Sequence, residues 1–127
     1  MSATTRRPVT AVLFEIPVRD LPQAIPLCER VFETTLERAS IDGLEMALFP
    51  DSTGVGASGA LWRGETYVPS RNGTWVSLQV KSAEATLSRA VAAGGRLLSP
   101  VKQVIAQAVV AEYEDLEGHR VGLLERR

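Results

Sequence analysis

The feature that most constrains this chain is that its second half repeats the pattern of its first. From Val9 to Val18 the apolar residues Val12, Phe14, Ile16 and Val18 alternate with Leu13, Glu15, Pro17 and Arg19, the period of a strand with two different faces. Asp20 follows as a helix N-cap, Pro22 is tolerated in the first turn, and Leu21, Ile25, Cys28 and Phe32 fall on one helical stripe. Pro26 disturbs that stripe, because inside a helix it lacks a backbone donor and crowds the preceding turn. The sequence therefore predicts a kink there, or a helix that starts late. Thr74 to Val80 alternates again, with Val76, Leu78 and Val80 on one side and Trp75, Ser77 and Gln79 on the other. Ser82 is the next N-cap, Leu87, Ala90 and Val91 form an apolar face, and Gly94-Gly95 supplies a left-handed helix end. Laying VLFEIPVRDL over TWVSLQVKSA aligns Val18 with Val80, Arg19 with Lys81 and Asp20 with Ser82, an offset close to half the chain. A duplicated module is the economical reading.

Each helix is followed by further strand-like runs: Leu36 to Ala39, Leu44 to Phe49 and Ala57 to Arg63, then Arg96 to Leu98, Ala108 to Tyr113 and Arg120 to Leu124. Each half thus reads as strand, helix and three strands, an α+β pattern of two βαβββ modules. The boundaries are a flexible tail over 1–8, module one over 9–64, a linker over 65–73 and module two over 74–125. With 127 residues, 45% of them hydrophobic, the chain can bury one ordinary core, so both modules belong to a single domain.

Charge and cysteine content narrow the function classes. Fourteen basic residues against 15 acidic ones leave no field to gather phosphates or an anionic membrane surface, so nucleic acid and membrane are not expected partners. No run is long enough to span a bilayer, and the two arginines near the start are not followed by the apolar core of a signal peptide. A single cysteine, Cys28, excludes an intramolecular disulfide and suits a reducing compartment, which makes the cytoplasm the expected location. Its place on the helical stripe makes it a core residue rather than a reactive thiol.

The element order, together with FEIPVRDL opening one half, AAGGRLLSPV after the second helix and DLEGHRVGLLE at the end, resembles the vicinal-oxygen-chelate superfamily over nearly the whole chain, and its glyoxalase-related branch most closely. The final turn is the most specific piece, since the family commonly ends on an acidic-x-acidic-Gly turn, which Asp115, Glu117 and Gly118 fit. The resemblance implies two modules whose mixed sheets curl into a cup, the glyoxalase/bleomycin-resistance fold. The face opposite the helices would line a small-molecule cavity, and a homodimer partner completes the cup in many relatives. Metal-dependent relatives hold a divalent ion through four His, Glu or Gln side chains. Here the first-strand position falls on Leu13, its equivalent on Trp75, the last-strand position on Gly122, and the fourth within GASGAL between Gly56 and Leu61. None of these is a donor of the required kind, so no metal and no other cofactor is expected.

If Val12, Phe14, Ile16, Val76, Leu78 and Val80 lie under the helices, then Leu13, Glu15, Pro17, Trp75, Ser77 and Gln79 face the cup. Glu15 and, on the penultimate strand, Glu112 become candidate proton acceptors, with burial expected to raise the pKa of Glu15. Each has a plainer reading as a solvated or arginine-paired charge. Arg120 shares the parity of Gly122 and either holds a substrate carboxylate or pairs with Glu112. Trp75 is either a stacking surface for ligand or filler where a metal would sit. Trp62 and Tyr67 flank the linker and suit a rim. The lone His119, beside a turn glycine, is expected in solvent. Two functions stay open: a metal-independent enzyme acting on a small polar molecule through Glu15 or Glu112, with Leu13, Trp75, Ser77, Gln79 and Arg120 binding it, or a non-catalytic protein that sequesters a ligand as bleomycin-resistance proteins do.

Overall fold

Strand, helix and three strands occur twice in the computed structural model, which describes residues 6–9, 11–54, 56–70, 72, 74–105 and 107–127. Module one runs β1 (Phe14–Pro17), α1 (Leu21–Phe32), β2 (Glu37–Ile41), β3 (Leu44–Pro50) and β4 (Ala57–Arg63). Module two repeats it as β5 (Val76–Gln79), α2 (Ala83–Ala92), β6 (Arg96–Ile105), β7 (Ala108–Glu114) and β8 (Arg120–Arg126). Each module is a four-stranded sheet of equivalent order, β1-β4-β3-β2 and β5-β8-β7-β6. In each, the first strand lies parallel to the last and the other pairs are antiparallel. The repeat extends to single bonds: Val18 N–H donates to Trp62 O at 2.8 Å, and Val80 N–H donates to Leu124 O at 2.9 Å.

The opening strand is shorter than its alternation. Only Phe14 to Pro17 find partners on β4, in register with Gly59 to Trp62, and Val12 remains 81% exposed. Of the expected tail, residues 1–5 lie outside the described residues, and Arg6 to Val9 are exposed and irregular. Asp20 caps α1 by accepting from Gln23 N–H at 3.0 Å, so the helix starts at Leu21 and runs through Pro26. The late start expected from Pro26 does not occur. Its ring stands on an exposed position, and the helix forgoes one internal bond there.

In α2 the buried positions are Ala83, Thr86 and Ala90, while Val91 is exposed. Burial of Thr86 is possible because its hydroxyl donates to Ser82 O at 2.8 Å and accepts from Arg89 Nη2 at 3.1 Å. Strand β6 was expected to stop at Leu98 but continues past Pro100. It is the outer strand of its sheet, and the ladder skips from Ser99 opposite Glu112 to Lys102 opposite Val110. An edge with a bulge tolerates a residue that cannot donate.

The helices cover one face of each sheet. Ile16, Val18, Leu21, Leu36, Ala47, Phe49 and Leu61 form the buried cluster of module one, and Cys28 packs against it. Burial pushes the Cys28 thiol up to about 12, which keeps it protonated and inert. Ala83, Ala90, Val109, Ala111, Tyr113, Val121 and Leu123 form the cluster of module two, which also takes in Val31 from α1. Phe32 packs against both clusters, so the two cores are continuous. Arg89 ties the helices together, its Nε donating to Val31 O at 2.9 Å.

A second tie is the turn between β7 and β8. Glu117 accepts from Arg19 N–H at 2.5 Å and from Asp20 N–H at 3.2 Å, placing a carboxylate at the entrance of α1 where the helix dipole favours it. His119 is 8% exposed, and its Nε2 is bonded to Pro17 O at the end of β1. The expectation of a solvated histidine is thus corrected: docking of the modules buries His119, which no local pattern reveals. Asp115 shapes the turn by accepting from Glu117 N–H and His119 N–H, both at 2.9 Å. Gly118 closes it with a φ of 89°, a conformation that glycine adopts without strain. Module one has the same device, with Gly54 N–H donating to Asp51 O at 3.0 Å and Gly118 N–H to Asp115 O at 3.1 Å.

Burial raises the Asp115 carboxyl above its ordinary range, with His119 and the backbone donors pulling the other way. A raised acid contributes stability that is full below the unfolded-state pKa and is lost as pH rises through the folded one. Asp115→Asn keeps the side-chain oxygen that accepts both N–H groups and removes the ionisation. The melting temperature of this variant relative to wild type should therefore rise with pH from acid toward neutral and then level off. A difference that stays flat, or falls with pH, contradicts this reading of the turn.

Candidate functional site

Strands β1 and β5 are end strands of their sheets, and among the described residues no ladder joins them. Between them opens a cleft of roughly 1180 Å³. One wall is Leu13 to Glu15, the other Trp75 to Lys81, and the helix side is closed by Phe32, Thr34, Ala85, Thr86 and Arg89. The expectation that the face opposite the helices alone lines the cavity is therefore corrected. The cleft runs along the seam, so Phe14, Val76, Leu78 and Val80 from the helix-facing side contribute with Leu13, Glu15, Trp75, Ser77 and Gln79 from the other. Both walls belong to one chain. Its lining combines apolar side chains with a few polar groups, the usual make-up of a small-molecule site.

Glu15 lies in this lining but is exposed rather than buried. Tyr67, from the segment between the modules, donates its hydroxyl to Glu15 Oε2 at 3.0 Å. That bond to a carboxylate pushes the Tyr67 phenol up. Tyr67 also stacks on Trp62, with ring centroids 5.2 Å apart and planes 7° from parallel. The two aromatics expected at a rim thus hold the connecting segment against module one, next to Glu15. Arg71 and Gly73 of that segment lie outside the described residues.

Glu112 and Arg120 line no part of the cleft. They are diagonal neighbours across β7 and β8, where Glu112 faces Gly122 and Glu114 faces Arg120. Arg120 Nη2 and Nε both reach Glu112 Oε2, at 2.5 and 3.2 Å. Of the two alternatives for Arg120, the ion pair is the arrangement present. The guanidinium also lies over Trp75, 4.1 Å from the ring centroid, within cation–π range. Trp75 is 47% exposed and does line the cleft, so it connects the pair to the cavity. Sequence reasoning missed Lys81, just past β5, and Arg89 and Thr86, which enter the lining because the second helix packs against the seam.

The divalent ion implied by the family resemblance does not fit these residues. Register supplies the fourth ligand position: Glu15 faces Ala60 on β4 as Ser77 faces Gly122 on β8, so Ala60 is the counterpart of Gly122. Leu13, Ala60, Trp75 and Gly122 offer no oxygen or nitrogen donor of the kind such an ion needs. A Cβ added at Gly122 would overlap Ser77 Oγ, so Ser77 fills the space where a last-strand ligand would start. Among the described residues no group of three or more His, Cys, Asp or Glu side chains converges.

No family model matches the chain, and no curated protein matches it. Solved structures do. A glyoxalase family protein from Bacillus cereus superposes with a TM-score of 0.67 at 19% identity, covering 98% of this chain and 99% of that one. A glyoxalase/bleomycin resistance protein from Albidiferax ferrireducens gives 0.64 at 14%, over 91% and 98%. A glyoxalase-related enzyme from Fulvimarina pelagi gives 0.63 at 15%, over 92% and 88%. The fold is therefore that of the glyoxalase/bleomycin resistance protein/dioxygenase structures, as the halfway repeat implied. Among the described residues no helix is long and apolar enough to cross a membrane.

Proposed function

We propose that this chain binds a small molecule in the seam cleft between β1 and β5 and does so without a divalent metal. The observation that carries this reading is a cleft of roughly 1180 Å³ inside one chain, at the large end of ordinary ligand sites, in a fold whose four ligand positions hold Leu13, Ala60, Trp75 and Gly122. Leu13, Trp75, Ser77 and Gln79 are the contact residues. Glu112 and Arg120 act through Trp75. The structural neighbours include proteins named for bleomycin resistance, which supports ligand sequestration.

Catalysis is the second reading, favoured by one observation: Glu15 stands in the cleft lining with a fixed phenol donor beside it. Glu15→Gln separates the two. It keeps shape and can still accept from Tyr67, so melting should barely move. A sequestering site then keeps its ligand within a few-fold, whereas a proton-acceptor site loses turnover by about 100-fold or more. A library screen by thermal shift supplies the ligand, since a true one stabilises the fold by mass action. No stabilising compound in a broad library of small polar and aromatic molecules, or hits that work only with added zinc or nickel, would overturn the proposal.

A homodimer belongs to the same proposal. Among the described residues the outer edges of β2 and β6 pair with no further strand, and such edges are commonly covered by a second copy. Sedimentation at micromolar concentration should give a dimer. Monomer throughout that range contradicts it.

A further inference from the structure

Trp75 sits one residue ahead of β5, beside Arg120 at the start of β8, and its ring has two unlike sides. Against one side lies the guanidinium, anchored by Glu112 and absent from the cleft lining. Trp75 lines the cleft while Arg120 does not, which leaves the side away from the guanidinium for a ligand. This arrangement is fixed by neighbours rather than by chance rotamers. Glu112 and Arg120 stand diagonally across β7 and β8, and two guanidinium nitrogens reach one carboxylate oxygen.

An aromatic ring attracts cations because its face carries negative charge density. A guanidinium already bound to one face draws that density toward itself and leaves the opposite face poorer in it. The free side of such a ring attracts a second cation less strongly and accepts an electron-rich partner more readily, through offset stacking of the kind aromatic pairs adopt. Ser77 and Gln79 share the parity of Trp75 along β5 and line the same wall, placing a hydroxyl and an amide beyond the ring. Lys81 continues that row as the one formal charge of the Trp75 wall. Of the other charges in the lining, Arg89 and Glu33 pair with each other at 3.6 Å and Glu15, on the opposite wall, accepts from Tyr67.

We infer that the cleft selects a flat, electron-rich aromatic ligand, neutral or anionic rather than cationic, and that the Trp75–Arg120 stack sets this preference. The inference deepens the proposed ligand-binding reading and rests on it.

Three probes of one shape test it: 2-naphthoate, 2-naphthamide and 2-naphthyltrimethylammonium, titrated into the full chain by calorimetry. Naphthoate and naphthamide should bind about tenfold or more tighter than the ammonium, the size of one partly desolvated cation–π contact. Trp75→Ala should weaken both by about tenfold. The double variant Arg120→Gln, Glu112→Gln removes the stacked cation without leaving a lone carboxylate, and should shrink the preference toward equal affinities. Ala85→Trp fills the cleft from α2 and should abolish binding of all three. Loss on Ala85→Trp with the ammonium bound equally well or better overturns the ligand class and leaves the cleft as the site. So does failure of all three probes while thermal-shift hits remain sensitive to Ala85→Trp. Hits that Ala85→Trp leaves untouched overturn the inference and the binding site together.

Discussion

Leu123→Ala should lower the free energy of unfolding by about 2–5 kcal/mol, a large share of the roughly 5–15 kcal/mol that holds an ordinary domain together. Leu123 is 0% exposed. It lies on β8 between Leu78 of β5 and Ala111 of β7, inside the cluster that α2 covers. Truncation removes transfer energy and leaves a cavity that the sheet, fixed by ladders on both sides, cannot close. Leu61 occupies the equivalent place on β4, between Ile16 and Ala47, and is 1% exposed. Leu61→Ala should cost a similar amount. Because Phe32 and Val31 join the two clusters, each variant should unfold in urea in one transition with an unchanged slope and a lower midpoint. A cost below about 1 kcal/mol at either site, or two separate transitions, contradicts a shared core.

The second large effect is at the turn that ties the modules. His119→Ala leaves Pro17 O without its partner in the interior, which should cost about 1–3 kcal/mol. Glu117→Ala removes a charged acceptor from two backbone donors at the entrance of α1. Those donors can turn to water, so this change should cost less, about 1 kcal/mol. The double variant should cost less than the sum, because both bonds serve one docking contact. Amide exchange supplies a local readout: Arg19 and Asp20 should lose protection in Glu117→Ala while α2 keeps its own. Full stability of His119→Ala would mean the buried contact does not form in solution.

Much of the fold was legible because its signals are local. Alternation around Phe14 and Val76, caps at Asp20 and Ser82, and the equal spacing of both halves each depend on near neighbours in sequence. The Asp-Ser-Thr-Gly and Asp-Leu-Glu-Gly turns were a further repeat in plain view. What failed depended on contacts between distant segments. The opening strand pairs with β4 only over Gly59 to Trp62, a limit the alternation of Val12 and Leu13 does not encode. The strand-like run stopped at Leu98, yet β6 continues past Pro100, which an outer edge tolerates.

The candidate cleft was only partly foreshadowed, since Glu112 and Arg120 line no part of it. Parity placed Glu15, Trp75, Ser77 and Gln79 on one side, and these do line the cleft. Parity could not show that the two sheets stay apart and open the cleft between their edges. Nor could it choose, for Arg120, between a ligand and Glu112. That choice follows from the diagonal placement of Glu112 and Arg120, which appears only when β7 and β8 are set in register. His119 shows the same limit from the other direction, since it is buried only by the module on the far side of the seam.

The central claim, a ligand held in the seam of one chain without a metal, is tested most directly by a crystal structure of the protein with its strongest thermal-shift ligand. The account predicts density between β1 and β5, in contact with Leu13, Trp75 and Ser77, and no anomalous signal from a divalent metal within the cleft. A ligand bound elsewhere on the surface, or one bridged to the protein by a metal ion near Trp75 and Gly122, would contradict it.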